Sequence, residues 1–191
     1  MFLKRNDPYL LVTSMTGVKM GDRLVQIGCV HGGRLAAVAG KVGLSGRAVL
    51  IAPDDASAAR ARKSARDAGV LVEIDVAPPT RLPCDDGAFD LTVVDETSGL
   101  LATMPPEDRV AAIRELVRVL RPGGRCVLIG AVPRGGLGAL LTRAQSGPPF
   151  VASGQATIAL EAEGFKSARL LAEREGLVFV EGIKPREKDK G

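Results

Sequence analysis

Short runs of β-branched and aliphatic residues alternate along this chain with longer stretches whose apolar residues repeat at helical spacing. The short runs predict buried strands, and the longer stretches predict amphipathic helices. Two strands separated by a helix need a crossover connection, so this order predicts a mostly parallel sheet with helices on both faces. The expected strands are residues 24–27, 48–52, 70–74, 89–95 and 125–132.

Capping residues indicate where several helices begin. Asp54 is a favourable N-cap for the helix after the second strand, and Pro105 with Pro106 opens the helix before the fifth. Asp7 followed by Pro8 predicts a short helix over residues 8–16. This helix would form most of a leading segment, residues 1–20.

The C-terminal part has a different pattern. Residues 168–173 and 177–183 are two apolar runs separated by three residues. Three residues cannot hold a crossover helix, so these runs predict two antiparallel neighbouring strands. Residues 184–191 form a charged tail. We therefore expect a single domain over residues 1–183.

Composition argues against several classes of protein. The 191 residues include 26 Lys and Arg against 22 Asp and Glu, a net charge of +4, and these charges are dispersed. With only 3% aromatic residues and no Trp to stack on bases, we expect no nucleic-acid partner. The longest apolar runs are of strand length, so we expect no membrane span. Cys29, Cys84 and Cys126 lack metal-site spacing, which favours a metal-free protein in the reducing cytoplasm.

A glycine-rich turn, residues 28–33 (GCVHGG), separates the first strand from the helix that follows it. Proteins of the α/β class hold anionic or nucleotide ligands at such turns, because the backbone approaches closely and helix amides point at the ligand. A tight turn that binds nothing would use the same residues. Both interpretations remain open from the turn alone.

Three stretches in this order resemble the class I S-adenosylmethionine-dependent methyltransferases, particularly the small-molecule group related to ubiquinone and menaquinone biosynthesis enzymes. They are residues 21–29 (GDRLVQIGC), 82–90 (LPCDDGAFD) and 114–125 (RELVRVLRPGGR). The resemblance implies a Rossmann-like, doubly wound α/β fold of seven strands with an antiparallel last strand. It also implies S-adenosylmethionine as cofactor and a small molecule as methyl acceptor.

The same resemblance implies which residues meet the cofactor, and four positions depart from the family's pattern. Gln26 replaces an acidic residue, and Val30 replaces the middle glycine of the turn, where its branched side chain adds bulk. Ala52 and Pro78 replace the acidic residues that bind the ribose hydroxyls and the adenine amino group. A lost charged hydrogen bond costs about 1.5–3 kcal/mol, so these changes predict weakened cofactor binding. The expected cofactor residues are Gly28, Cys29, Val30, Gly32, Ala52, Pro53, Pro78 and Asp95.

Three residues are candidates for acid–base chemistry. Asp95 and Glu96 end the fourth strand, where ligands of open α/β sheets bind, and could position the cofactor or deprotonate an acceptor. They could equally be solvated loop acids. His31 could act as a base or contact the cofactor's carboxylate, or it could be an ordinary surface histidine. Asp54 and Asp55 either replace the missing ribose carboxylate or only cap a helix.

Two functional hypotheses follow from these residues. The first is an S-adenosylmethionine-dependent methyltransferase that acts on a small apolar or phenolic molecule, with residues 133–164 as a short substrate-side insertion containing helices near 137–144 and 152–163. The second is a degenerate relative that no longer binds the cofactor normally and serves as a binding or scaffold protein, in which a homodimer is conceivable. The substituted residues favour the second hypothesis, and the intact later stretches favour the first.

Overall fold

A computed structural model describes residues 7–132 and 149–186. Five helices and seven strands lie within these ranges. The helices are α1 (Leu10–Thr16), α2 (Gly32–Val42), α3 (Asp55–Ala68), α4 (Pro106–Val119) and α5 (Gln155–Ala162). The strands are β1 (Arg23–Ile27), β2 (Arg47–Ala52), β3 (Glu73–Val76), β4 (Phe89–Asp95), β5 (Leu120–Ala131), β6 (Lys166–Arg174) and β7 (Leu177–Ile183).

All seven strands form one sheet in the order β3-β2-β1-β4-β5-β7-β6. The pairs among β1 to β5 are parallel, and β7 is antiparallel to both of its neighbours. This arrangement confirms the doubly wound, mostly parallel sheet and the antiparallel last strand. The carboxyl ends of β1, β2 and β4 therefore share one edge of the sheet, with the switch in strand order between β1 and β4.

The strand residues bury alternate faces against different helices. Val25 and Ile27 of β1 belong to a core with residues of α4 and α5, whereas Leu24 packs with Val38 and Val42 of α2. All five side chains are almost fully buried. Each contributes roughly 1.5–3 kcal/mol by leaving water, so the first strand is fixed from both sides. Helices on both faces of the sheet are thus confirmed.

Several predicted boundaries were wrong, most of them by one or two residues. The third strand was expected at residues 70–74, but β3 begins at Glu73, because the Val70 amide donates to the Ala65 carbonyl and completes the C-terminal cap of α3. The fifth strand begins at Leu120, since Leu120 already pairs with Phe89.

At the two ends the predicted helices are shorter than expected. The Asp7 carboxylate accepts the Tyr9 amide in a turn, and α1 begins only at Leu10. The helix expected over residues 152–163 spans Gln155–Ala162, because residues 150–153 form turns that precede it. The helix expected near residues 137–144 lies outside the described residues, as do residues 1–6 and 187–191.

The second and third stretches of the family resemblance contact each other through α4. Arg118 donates to the carbonyls of Leu82 and Cys84 at 3.0 and 2.7 Å, and Glu115 accepts the Leu82 amide at 2.7 Å. The Asp86 carboxylate lies 2.6 Å from the same guanidinium. These bonds hold the segment before β4 against α4.

Candidate active site

A cavity of about 280 Å³ opens at the carboxyl ends of β1, β2 and β4. This is the edge where the glycine turn meets the start of α3 and the loop after β4. The volume lies near the lower end of the roughly 300–1,000 Å³ typical of small-molecule sites. The lining residues are Gly28, Cys29, Val30, Pro53, Ser57, Arg60, Asp95, Ser98 and Leu100.

Five of the eight expected cofactor residues line this cavity. Gly28, Cys29, Val30, Pro53 and Asp95 are its walls. Gly28 has a φ of +78°, and a β-carbon there would lie 3.1 Å from Leu100 Cδ2 and 3.3 Å from the Asp95 carbonyl oxygen. Glycine is needed at this position both for the backbone conformation and for the close approach of the two strand ends.

Asp95 is a buried carboxylate whose oxygens are saturated by hydrogen bonds. It accepts the Val30 amide at 3.0 Å and the Thr97 hydroxyl at 2.6 Å, and the Arg34 guanidinium lies 3.1 Å away. Only 2% of its side chain is exposed. The carboxylate therefore ties the glycine turn to the end of β4 and is neutralised by arginine. It is not a free base in this arrangement.

Glu96 is also buried, and its carboxylate holds the loop after β4. Its two oxygens accept the amides of Leu101 and Ala102 at 2.6 and 2.8 Å. Desolvation raises the pKa of Glu96, and these amides and Arg109 only partly oppose the shift. Arg109 donates to the carbonyl oxygens of the same loop and stacks on Phe150 at 4.9 Å. Glu96 and Arg109 thus fix the loop that carries Ser98 and Leu100.

Side chains of the first strand and of the turn itself stabilise and shape the turn between β1 and α2. The buried Gln26 side-chain amide donates to the Gly28 carbonyl at 2.9 Å, a bond that a carboxylate could not make. Val30 is 39% exposed at the cavity wall, and the cavity remains open beside it. Val30 therefore narrows the hollow without closing it.

His31 and Cys29 complete the turn. His31 is exposed and lies at the N-cap of α2, where its side chain makes no capping hydrogen bond. Burial, with a further contribution from the nearby Asp95, raises the pKa of the Cys29 thiol to about 11. The thiol is therefore protonated at neutral pH and is not a nucleophile.

Gly32, Ala52 and Pro78 lie outside the cavity lining. Gly32 faces α3, since a β-carbon there would overlap the Ser64 hydroxyl. Ala52 is fully buried at the end of β2, and Pro78 is exposed beyond β3. Asp54 caps α3 by accepting the Ser57 amide at 2.7 Å, as the sequence predicted.

Sequence reasoning missed several residues of the site. Arg34 and Thr97 bind Asp95, and Ser57, Arg60 and Ser98 line the cavity. Arg34 lies one residue beyond the last glycine of the turn, so a basic residue there was the available signal for a counter-ion of Asp95. The other four carry no pattern that separates them from ordinary helix and loop residues.

The described parts of the chain also lack two features. They contain no group of three or more His, Cys, Asp or Glu residues that could hold a metal ion. None of the helices within residues 7–132 and 149–186 is long and apolar enough to cross a membrane.

Residues 25–128, more than half of the chain, match the family described as a methyltransferase domain. The chain belongs to the methyltransferase domain family. The matched residues run from β1 into β5 and include the glycine turn, the cavity lining and the Asp95 ion pair. The resemblance stated from the three stretches is thereby confirmed.

Curated relatives of this methyltransferase domain are longer than the chain. Methyltransferase GfsG of Streptomyces halstedii is 32% identical over 130 residues, which cover 68% of this chain and 45% of the relative. A ubiquinone/menaquinone biosynthesis C-methyltransferase of Idiomarina loihiensis is 32% identical over 116 residues, or 60% and 44% of the two chains. The chain thus spans less than half the length of these relatives.

Solved structures agree on the fold of this methyltransferase domain. A methyltransferase from Aquifex aeolicus, described as SAM dependent, superposes with a TM-score of 0.72 at 18% identity, covering 95% of this chain and 93% of that one. At this identity the likeness supports the fold alone. The Rossmann-like methyltransferase fold expected from the sequence is confirmed.

Proposed function

We propose that this methyltransferase domain binds S-adenosylmethionine in the cavity beside Gly28 and transfers its methyl group to a small molecule. The observation that carries the proposal is the open cavity at the switch in strand order, lined by five of the residues expected there. Family membership and the names of the relatives, among them a ubiquinone/menaquinone biosynthesis C-methyltransferase and a tocopherol O-methyltransferase, support it.

The residues at the cavity fit an adenosyl sulfonium. Gly28 has no side chain to occupy the cavity at the turn. Pro53, after β2, and Leu100, after β4, add apolar surface to the cavity lining. The Asp95 carboxylate also lines the cavity, and its charge is balanced by Arg34. When bound, the cofactor supplies an electrophilic methyl group, which bonds to an acceptor lone pair while the carbon–sulfur electrons return to sulfur.

The protein's contribution to this reaction is alignment rather than proton transfer. The carboxylate oxygens of Asp95 accept hydrogen bonds from the glycine turn, and those of Glu96 accept hydrogen bonds from the loop after β4. Neither carboxylate is therefore placed to deprotonate an acceptor. Holding two reactants in line supplies a large part of the acceleration of a displacement. Among the expected candidates only His31 is exposed beside the cavity, and its role as a base stays a prediction.

Calorimetric titration of the whole chain with S-adenosylmethionine and S-adenosylhomocysteine tests this proposal. We expect saturable binding that Ser98→Trp abolishes, because an indole at this exposed position fills the cavity. Ser45→Trp, at an exposed turn before β2, is the matched control and should leave binding unchanged. Absence of heat and of thermal shift at millimolar ligand would instead favour the degenerate, cofactor-free relative.

The proposal extends to the methyl acceptor, the assembly and the cellular compartment. We infer a small apolar or phenolic acceptor, supported by the lack of a basic cluster in the sequence of residues 1–20 and 133–164 and by the relatives' names. Three free cysteines are in keeping with a reducing cytoplasm. A homodimer remains a prediction, which sedimentation equilibrium would test.

A further inference from the structure

Arg60 points its charge at the cavity from the second turn of α3. Its guanidinium donates to the Ser57 hydroxyl oxygen at 2.8 Å, and both residues line the cavity. Ser57 is buried, whereas Arg60 is exposed. A buried acceptor thus fixes the direction of a solvent-accessible cation, and one of the five N–H donors of the guanidinium is used in doing so.

Arg60 has no ion-pair partner among the residues that the structure describes. The nearby Asp54 carboxylate is committed to the Ser57 amide, which is the main cause of its lowered pKa, with Arg60 contributing less. The other charged group in the lining is Asp95, and its partner is Arg34. Within the described lining, Arg60 is therefore the charged residue without an ion-pair partner.

The start of α2 adds to the positive potential of this region. This helix of 11 residues has no acidic residue in its first turn and no side-chain cap, and it begins two positions after Val30. The amino end of a helix carries a partial positive charge that favours anions. The Asp95 carboxylate, which accepts the Val30 amide, already lies beside this end of α2, so Arg60 is the main source of positive charge in the cavity lining.

We propose that Arg60, positioned by Ser57, forms an anion subsite of the cavity that binds a carboxylate or phosphate group of the ligand. This inference rests on the proposed function in that it assigns the subsite to the same cavity. One source of the anion is the amino-acid carboxylate of the cofactor. The other source is a phosphate on the ribose of a nucleotide. An acidic residue at the ribose site would repel this phosphate, but the uncharged Ala52 at that position does not.

Two pairs of ligands test the subsite on the whole chain, and in each pair only one member carries the carboxylate or phosphate group. S-adenosylhomocysteine is compared with 5′-methylthioadenosine, which lacks the amino-acid part, and adenosine 2′-monophosphate is compared with adenosine. Each is titrated by calorimetry into the native protein, Arg60→Gln and the control Arg66→Gln, an exposed arginine near the end of the same helix.

We expect Arg60→Gln to weaken the carboxylate-bearing or phosphate-bearing member of one pair by about tenfold or more and to leave the member without that group unchanged. A selective loss for S-adenosylhomocysteine identifies the cofactor carboxylate, and a selective loss for the monophosphate identifies a phosphate. Ser57→Ala should give a smaller loss in the same direction. Arg66→Gln should change neither pair.

Two results would overturn the subsite: equal losses for the two members of each pair, or no loss for any of them. Native protein that binds neither thioether ligand refutes the proposed function by itself. The monophosphate pair then decides the subsite independently, because its readout needs no sulfur-containing ligand. Circular dichroism of Arg60→Gln establishes that a loss of binding is not a loss of fold.

Discussion

The Arg34 guanidinium lies 3.1 Å from the Asp95 carboxylate at the edge of the cavity, and both side chains are largely buried. The pair joins the first turn of α2 to the end of β4, the two elements that flank the switch in strand order. The same carboxylate also accepts the Val30 amide. The shape of the glycine turn therefore depends on an ion pair between two elements that are distant in the sequence.

Asp95→Asn should lower the free energy of unfolding by about 3–5 kcal/mol, because it leaves the buried Arg34 charge without its counter-ion. Urea denaturation measures this loss. Glu73→Gln is the control, since it breaks an Arg47 pair that is more than half exposed and should cost about 0–1 kcal/mol. Equal costs for the two variants would show that the buried pair does not stabilise the fold.

Val30→Ala should raise the affinity for S-adenosylhomocysteine several-fold, because it removes two methyl groups from the cavity wall. The cost in stability should stay below about 1 kcal/mol, since Val30 is 39% exposed. Calorimetric titration measures the affinity. Val76→Ala on β3, similarly exposed and outside the cavity lining, should have no effect on binding. Unchanged or weaker binding by Val30→Ala would mean that Val30 does not restrict the ligand.

Gly32→Ala should destabilise the protein by about 1–3 kcal/mol, although alanine is the better helix former. The added methyl group would overlap the Ser64 side chain where α2 meets α3. Introduced into a Ser64→Gly background, the same substitution should cost little, because the overlapping atoms are gone. Thermal unfolding of the four proteins gives the coupling. A cost that is the same in both backgrounds would contradict the contact.

Glu96 should make stability fall as the pH rises through its titration in the folded protein. Desolvation raises the pKa of its carboxyl above 4.5, so the folded state binds this proton more readily than the unfolded chain does. The associated stabilisation is complete below the unfolded pKa and is lost at higher pH. The difference in unfolding free energy between native protein and Glu96→Gln should therefore be largest at low pH.

Urea denaturation between pH 4 and 7 measures that difference, which cancels the opposite contributions of carboxyls whose pKa is lowered, such as Glu73 and Asp90. A difference that grows with pH would show that the amides of Leu101 and Ala102 outweigh the desolvation of Glu96.

Much of the fold followed from local patterns in the sequence. Strand β4 and the cap at Asp54 were located correctly because an apolar run and a capping residue are local signals. The start of β3 was missed because Val70 continues an apolar run in the sequence but is used to cap α3 in the structure. Whether the Val70 backbone joins the sheet or caps α3 depends on tertiary contacts, which the periodicity of apolar residues does not encode.

The site was predictable only in part, for a related reason. The glycine turn follows β1 and Asp95 is the last residue of β4, so their place at the sheet edge could be inferred from the strand order. The partners of Asp95 could not, because Arg34 reaches it across 61 positions of sequence. The burial of both acidic candidates likewise became visible only with the loop after β4 in place.

Strand β7 is the last strand of the described chain, yet it lies inside the sheet, between β5 and β6. During synthesis on the ribosome, one edge of β5 therefore stays unpaired until residues 177–183 have been made. Strand β6 has no partner at all before then, since β7 is its one neighbour. A nascent chain halted just before Leu177 would expose unpaired edges of both strands at once, which are templates for aggregation.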